Sequence, residues 1–437
     1  MSYTEIKIVE LKKASKDEIE RILRRGKKEL DEIIERVKPI IEDVKKNGDK
    51  ALLYYVEKFD HVKFSNIENL RVSENEVEEA YKRLDPKVLE AIKVAINNLT
   101  KFHSMQVPKE EKVIIGPGIE ARRLVVPLSS AGLYIPAGKY PLPSVVIHTS
   151  VPAKVAGVER IVMCSPPRRD GTLYDAIIVA ANLCGVKEIY KMGGAHAIAA
   201  LAYGTESVKP VDIIAGPGGP YVTAAKLLVQ KDVRIDLPAG PSEGMVLADS
   251  TADPKLVAAD TISEAEHGPD SAGVLVTDSL ELALRVKQEI SRMYERLSDK
   301  SREFIASNVS KGYSVIVVAE SMDEAISFVN EYAPEHLVIH TRDPEETLRR
   351  IKNAGTICLG PYTPITAGNY MLGPNAILPT GGAAKWTSGL SVDNFIKRPT
   401  IEKLTKEGLE SLRKHLKALA EYEGFSAHIN AVEVRFT

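Results

Sequence analysis

Between about residues 122 and 358 the chain alternates short apolar runs with helical segments, and this alternation restricts its fold more than anything else in it. Strands separated by helices of this length cannot pair as tight hairpins. They become parallel neighbours, with helices covering both faces of the sheet. The spacing predicts strands at 124–127, 160–164, 188–192 and 211–214, with helices at 145–155, 174–182, 195–202 and 221–229. A second series follows, with strands at 274–276, 314–318, 336–339 and 356–358 and helices at 256–267, 279–297, 322–329 and 344–353. The fold class expected is therefore α/β, with two parallel-sheet units of similar size.

Helical material flanks these units. Apolar residues recur helically over 17–46, where Pro39 is expected to kink or divide the helix and Asn47-Gly48 to end it. Further helices are expected at 50–59 and within 75–103. Arg24, Arg25, Lys27 and Lys28 read as a solvated basic face. The tail predicts a polar helix to Tyr422, a break at Gly424 and an amphipathic segment to Phe436.

With 437 residues the chain can bury more than one core, and a formal net charge of -2 offers no basic excess for nucleic acid or an anionic membrane. Cys164, Cys184 and Cys358 are far apart in apolar runs, which suits core packing in a reducing, cytoplasmic setting. There is no signal-peptide core and no apolar stretch long enough to span a bilayer.

Chemistry-bearing residues gather in a few loops. If the 256–267 helix runs to its end, Glu264 and His267 share one face, and Gly268-Pro269 stops it there. Such a pair makes half a site for a divalent metal; a solvated helix end is the alternative. Ligands of open parallel sheets bind beyond the carboxyl ends of the strands. The Gly-rich turns at 128–138, 193–196 and 215–221 therefore suit phosphate, although none matches a GxGxxG or P-loop pattern and ordinary tight turns explain them too. Ser242 stands in the 236–243 loop. Glu335 and His336 enter a strand side by side, an acid and an imidazole suited to successive proton transfers. As neighbours in extended chain they are expected to face opposite ways and to need different partners; a charged strand entry without chemistry is the alternative. His196 follows a glycine turn, and Asn369, Glu423 and His428 lie near turns further on. His61, His103, His148, His340 and His415 lack such settings and read as structural.

Taken in order, seven stretches resemble the histidinol dehydrogenase family. They are YIPAG at 134–138, GGAHAIAA at 193–200, AYGTES at 202–207, AGPSE at 239–243, AEHGPD at 265–270, YAPEH at 332–336 and LPT at 378–380. The resemblance covers about 28–434. It implies two Rossmann-like domains, with a helical N-terminal segment at 1–27 and a C-terminal helical arm at 386–437. The metal and substrate domain would comprise 28–133 with 241–385, and the cofactor domain 134–240. The arm would cross to the other subunit of a homodimer, so that sites are shared.

The reaction implied is oxidation of L-histidinol through L-histidinal to L-histidine, with two NAD and one Zn2+ per subunit. By the same resemblance His336 takes the alcohol proton and Glu335 activates water. Glu264, His267, Asn369 and His428 would hold the metal. Ser242 and Glu423 would contact substrate together with those four and His336, while Tyr134, His196 and Gly219 would contact NAD. Five positions depart from the family pattern: Glu264 for a usual Gln, Asn369 for Asp, Ala376 for His, His196 for Gln and Gly219 for Asn. The first two exchange a charge and leave its sum unchanged, consistent with retained zinc. The other three also fit a related zinc- and NAD-dependent dehydrogenase of another small amino alcohol or polyol, of the sulfopropanediol type. A non-catalytic relative would have no chemical need for Ser242, Glu335, His336, Glu423 and His428 together.

Overall fold

Strand residues in the second half of the chain are apolar on both faces, as a sheet covered twice requires. Val246, Ala248, Leu275, Ile316 and Val338 turn to one side and pack on helices Pro254–Ser263, Leu280–Tyr294 and Asp299–Ser310. Met245, Leu247, Val274, Val276, Val317, Leu337 and Ile339 turn to the other and pack on helix Met322–Tyr332. The computed structural model describes residues 5–25, 30–138, 140–237 and 240–437. Lys27, Lys28, Pro238 and Ala239 lie outside the described residues.

The chain divides into two compact units, 1–106 with 129–395, and 107–128 with 396–437. The larger holds two all-parallel sheets. In the first the strands run Lys7–Glu10, Val315–Val318, Ala272–Thr277, Glu243–Ala248, His336–His340, Thr356–Leu359. Strand order reverses beside Glu243–Ala248, which makes a switch point with His336–His340. In the second sheet the order is Glu188–Lys191, Arg160–Ser165, Ser130–Tyr134, Ile213–Ala215, Arg234–Ile235, with the reversal beside Ser130–Tyr134. The smaller unit is an antiparallel sheet of Thr400–Leu404, Ile119–Arg123 and Glu111–Gly116, a short pair of Ile396–Lys397 with Val126–Pro127, and helices Lys406–Tyr422 and Ser426–Glu433.

Several expectations need correction. The N-terminal segment begins with a strand, Lys7–Glu10, not a helix; paired with Val315–Val318, it has backbone partners that its charged sequence does not advertise. The helical run over 17–46 divides at Arg25 (φ 53°) and not at Pro39, which lies inside helix Leu30–Tyr55, while the expected stop at Gly48 is a kink. The first parallel strand is Ser130–Tyr134, where the sequence predicts a loop because Ser, Ala and Gly weaken the strand pattern. The strand Glu243–Ala248, central to its sheet, opens on Glu-Gly, which masks its pattern in the same way. Arg25 does not belong to a solvated face: only 6% of its side chain is exposed.

Candidate active site

Helix Pro254–Ser263 tightens into a 3-10 turn, Glu264–His267, just where the acid and imidazole stand. Side chains three apart eclipse in such a turn, and His267 Nδ1 lies 3.3 Å from Glu264 Oε2. Glu264 is buried, whereas His267 is exposed. Gly244 lies against Glu264, since a Cβ at Gly244 would stand 2.9 Å from the Glu264 side chain. Asn369, on the short helix Ile365–Tyr370, donates Nδ2 to Glu264 Oε1 at 3.0 Å. Its Oδ1 accepts from His336 Nε2 at 3.1 Å. Glu264, His267, Asn369 and His336 thus come together.

Glu335 and His336 share one anchor, contrary to the expectation of opposite partners. Glu335 precedes the strand and follows Ala333, a left-handed residue (φ 51°), so strict alternation does not apply to it. The peptide groups of Glu243 hold both side chains: its N–H donates to Glu335 Oε2 at 2.8 Å, and its carbonyl accepts from His336 Nδ1 at 3.3 Å. Glu335 Oε2 and His336 Nδ1 are 3.6 Å apart. Burial alone would lower the His336 pKa, but the Glu335 and Glu264 carboxylates outweigh it and raise it to about 9. Both ring nitrogens accordingly act as donors. Burial also pushes the Glu243 carboxyl up to about 7, with Arg25 opposing and Glu335 adding.

These groups stand at the amino ends of their strands, because His336 and Glu243 each open one. The sequence likewise places Glu335 and His336 at the start of a strand. In the second sheet Tyr134 ends a strand and Gly193 and Gly216 follow strands. The Tyr134 hydroxyl accepts the Gly194 N–H at 3.1 Å. Gly219 caps helix Pro220–Val229 in the open, with nothing within 4 Å of where its Cβ would be. His196 is fully buried, with Nε2 3.0 Å from Asp60 Oδ2, the same oxygen that accepts the Gly193 N–H at 3.1 Å. Ser242 is half-buried next to Glu243. Glu423 and His428 are exposed in the smaller unit, His428 with its ring 5.0 Å from that of Phe425.

Sequence reasoning missed Arg25, Asp60 and Glu243. Only Glu243 left a signal, its place in the AGPSE stretch. His148, read as structural, is buried and donates Nε2–H to the Asn369 carbonyl at 2.9 Å, while Nδ1 accepts the Ala376 N–H at 3.2 Å. It ties together the backbones of Asn369 and Ala376.

Among the described residues no three His, Cys, Asp or Glu side chains are gathered for a metal. The cluster nevertheless fits a borderline divalent cation in donor kind, with one carboxylate, one imidazole and one amide oxygen, and needs a further donor to close. No described helix is long and apolar enough to cross a membrane.

The chain is similar to known proteins along nearly its whole length. A histidinol dehydrogenase of Methanothermobacter thermautotrophicus is 47% identical over 95% of this chain and 96% of its own length. A Colwellia psychrerythraea protein named as a histidinol dehydrogenase homolog is 44% identical over 98% and 96%. The crystal structure of histidinol dehydrogenase from Elizabethkingia anophelis matches with a TM-score of 0.92 at 37% identity, covering 99% of each chain. The family model described as histidinol dehydrogenase spans residues 23–436, which takes in the second parallel sheet, all of the first but its edge strand Lys7–Glu10, the acid/imidazole pair and the tail helices, and the chain belongs to that family.

Proposed function

We propose that this protein is a histidinol dehydrogenase, oxidising L-histidinol through L-histidinal to L-histidine. The observation that carries the reading is the Glu335–His336 pair, held on the two peptide groups of Glu243 beside the Glu264–Asn369–His267 cluster. A base and a water-activating carboxylate within one site are what two successive oxidations at one carbon require. In the first, His336 accepts the hydroxyl proton as the carbinol carbon loses hydride. In the second, Glu335 takes a proton from water as its oxygen adds to the aldehyde carbon. The anionic adduct formed loses hydride in turn, and the resulting acid releases its remaining proton to solvent, leaving the carboxylate.

NAD supplies the hydride acceptor in both oxidations, and Tyr134, Gly219 and the His196 turn are the residues proposed to hold it. Glu264, His267 and Asn369 are proposed to hold Zn2+, with His428 as the further donor. A bound dication would orient the substrate's nitrogens and, by offsetting the Glu264 charge, bring the His336 pKa down toward a working base. Ser242 and Glu423 are assigned to substrate. We assign a homodimer in which the arm of each chain serves the other's site, in the cytoplasm, with domains divided at 28–133 with 241–385 and at 134–240.

The test is NADH formed per L-histidinol, with and without a chelator and zinc add-back. Two NADH per substrate, lost on chelation and regained with zinc, are expected. A zinc-loaded protein inert to histidinol overturns the reading. Because Ala376 replaces a substrate-side histidine of the family pattern, turnover of another amino alcohol or polyol would then identify the second reading.

A further inference from the structure

Three described residues other than glycine have positive φ, and two of them, Arg25 (φ 53°) and Ala333 (φ 51°), touch. Left-handed backbone at such residues persists only where the surroundings over-determine it. Arg25 ends helix Lys16–Arg24, and Ala333 ends helix Met322–Tyr332 directly before Pro334, Glu335 and His336. Arg25 Nη2 donates to the carbonyls of Tyr332 at 2.8 Å and Ala333 at 3.3 Å. Its guanidinium lies over the Tyr332 ring, 3.4 Å from the centroid, and pairs with Glu243 Oε2 at 2.9 Å. Both charged side chains are buried, 6% and 5% exposed. The other Glu243 oxygen takes the Gly381 N–H at 2.7 Å.

One guanidinium therefore grips two segments, and each bears on the acid/imidazole pair. The 332–333 turn delivers Glu335 and His336, while the Glu243 peptide holds both their side chains. A buried ion pair kept for stability alone has no advantage over apolar packing. A planar fork serving several fixed acceptors has one in geometry. We propose that Arg25 is a positioning residue for the oxidation, acting through Glu243 and the 332–333 turn to fix Glu335 and His336 relative to one another. This rests on the dehydrogenase reading of that pair.

The test uses the full-length, zinc-loaded protein with Arg25→Met, Arg25→Lys, Glu243→Gln, the Arg25→Met/Glu243→Gln double variant and, as a control, the exposed neighbour in Arg24→Lys. kcat and KM for histidinol are measured. So is the His336 ring carbon–proton NMR signal without substrate. Expected are kcat losses of ~10–100-fold for Arg25→Met and Glu243→Gln with KM little changed, and partial recovery in Arg25→Lys. The double variant should lose less than the product of the two single losses. The His336 signal should move in Arg25→Met and stay in Arg24→Lys. Wild-type kcat and an unmoved signal in Arg25→Met, or a loss confined to thermal stability, overturn the proposal. Should Arg25→Met not fold, Arg25→Lys and Glu243→Gln decide by the same readouts. If the parent protein leaves histidinol untouched, the functional reading fails on its own. The His336 signal then decides the clamp: displacement supports it and constancy overturns it.

Discussion

Asn369 gives one end of its amide to Glu264 and the other to His336, at 3.0 Å and 3.1 Å. A single side chain therefore joins the buried carboxylate of the proposed metal site to the proposed base. By the resemblance these two positions carry Glu where Gln and Asn where Asp would be expected, an exchange of carboxylate and amide, and here the two side chains face each other. The net charge of the donor set is the same either way, and what differs is which side of the site carries it.

That exchange predicts strong coupling. Glu264→Gln leaves the donor set without a carboxylate, and Asn369→Asp sets two side by side. Each single variant should lose zinc affinity, by ~10-fold or more, with activity falling alongside. Glu264→Gln combined with Asn369→Asp restores one charge and should recover much of both. Zinc titration calorimetry on the four proteins checks this, and additive losses would show that the two positions act independently.

His148 predicts a limb of acid instability. Burial lowers its pKa to about 4, with the Asn369 carbonyl opposing and the His103 and His336 rings adding to the fall. The unfolded chain binds a proton near the ordinary histidine value of about 6.5, and the native protein does not until about pH 4. Stability should therefore fall as pH drops through that window, by up to about 3 kcal/mol. His148→Gln should be less stable than the parent at neutral pH, by about 1–3 kcal/mol, because one of two buried backbone partners is left poorly paired. It should also show a flatter acid limb in urea unfolding. An unchanged slope would remove His148 as its source.

How far the sequence revealed this molecule depended on the kind of signal. Helix and strand alternation from 160 onward was legible because apolar periods there are long and uninterrupted. Ser130–Tyr134 and Glu243–Ala248 were not, because small residues and an Glu-Gly opening hide central strands whose burial comes from their neighbours. The Glu264/His267 pair was visible as spacing, and its 3-10 turn made it closer than an α-helix would. Nothing local marks Arg25: it stands among exposed basic residues, and its partners Glu243 and Tyr332 are hundreds of positions away. Asp60 was hidden in the same way, since its role comes from pairing across the fold with His196.

On the proposed cofactor side, Lys226 and Asp236 form a buried pair that brackets Gly216: Lys226 Nζ donates to the Gly216 carbonyl at 3.0 Å, and Asp236 Oδ2 accepts its N–H at 2.7 Å. Gly216 has φ 120°, and a Cβ there would fall 2.2 Å from the Tyr134 carbonyl. Lys226→Met leaves Asp236 uncompensated and should cost about 3–5 kcal/mol, whereas Lys226→Met with Asp236→Asn should cost less. In the folded fraction the KM for NAD should rise while the KM for histidinol holds. A parallel rise in both would separate this loop from the cofactor.

His336 predicts the opposite limb, and a metal should suppress it. Its folded pKa of about 9 exceeds the unfolded value of about 6.5, so its contribution is full below the unfolded value and is lost as pH rises through the folded one. In zinc-free protein the loss should approach about 3 kcal/mol between about pH 6 and pH 9. Glu335 and Glu264 are the carboxylates that hold the proton there, so Glu264→Gln should shrink the limb and His336→Gln should abolish it. Zinc should flatten it as well, because a dication beside Glu264 offsets the charge that raises the imidazole. Urea midpoints across that range, with and without zinc, measure the limb directly. A limb that persists in His336→Gln assigns the titration to another group, and one that zinc leaves untouched places the metal away from Glu264.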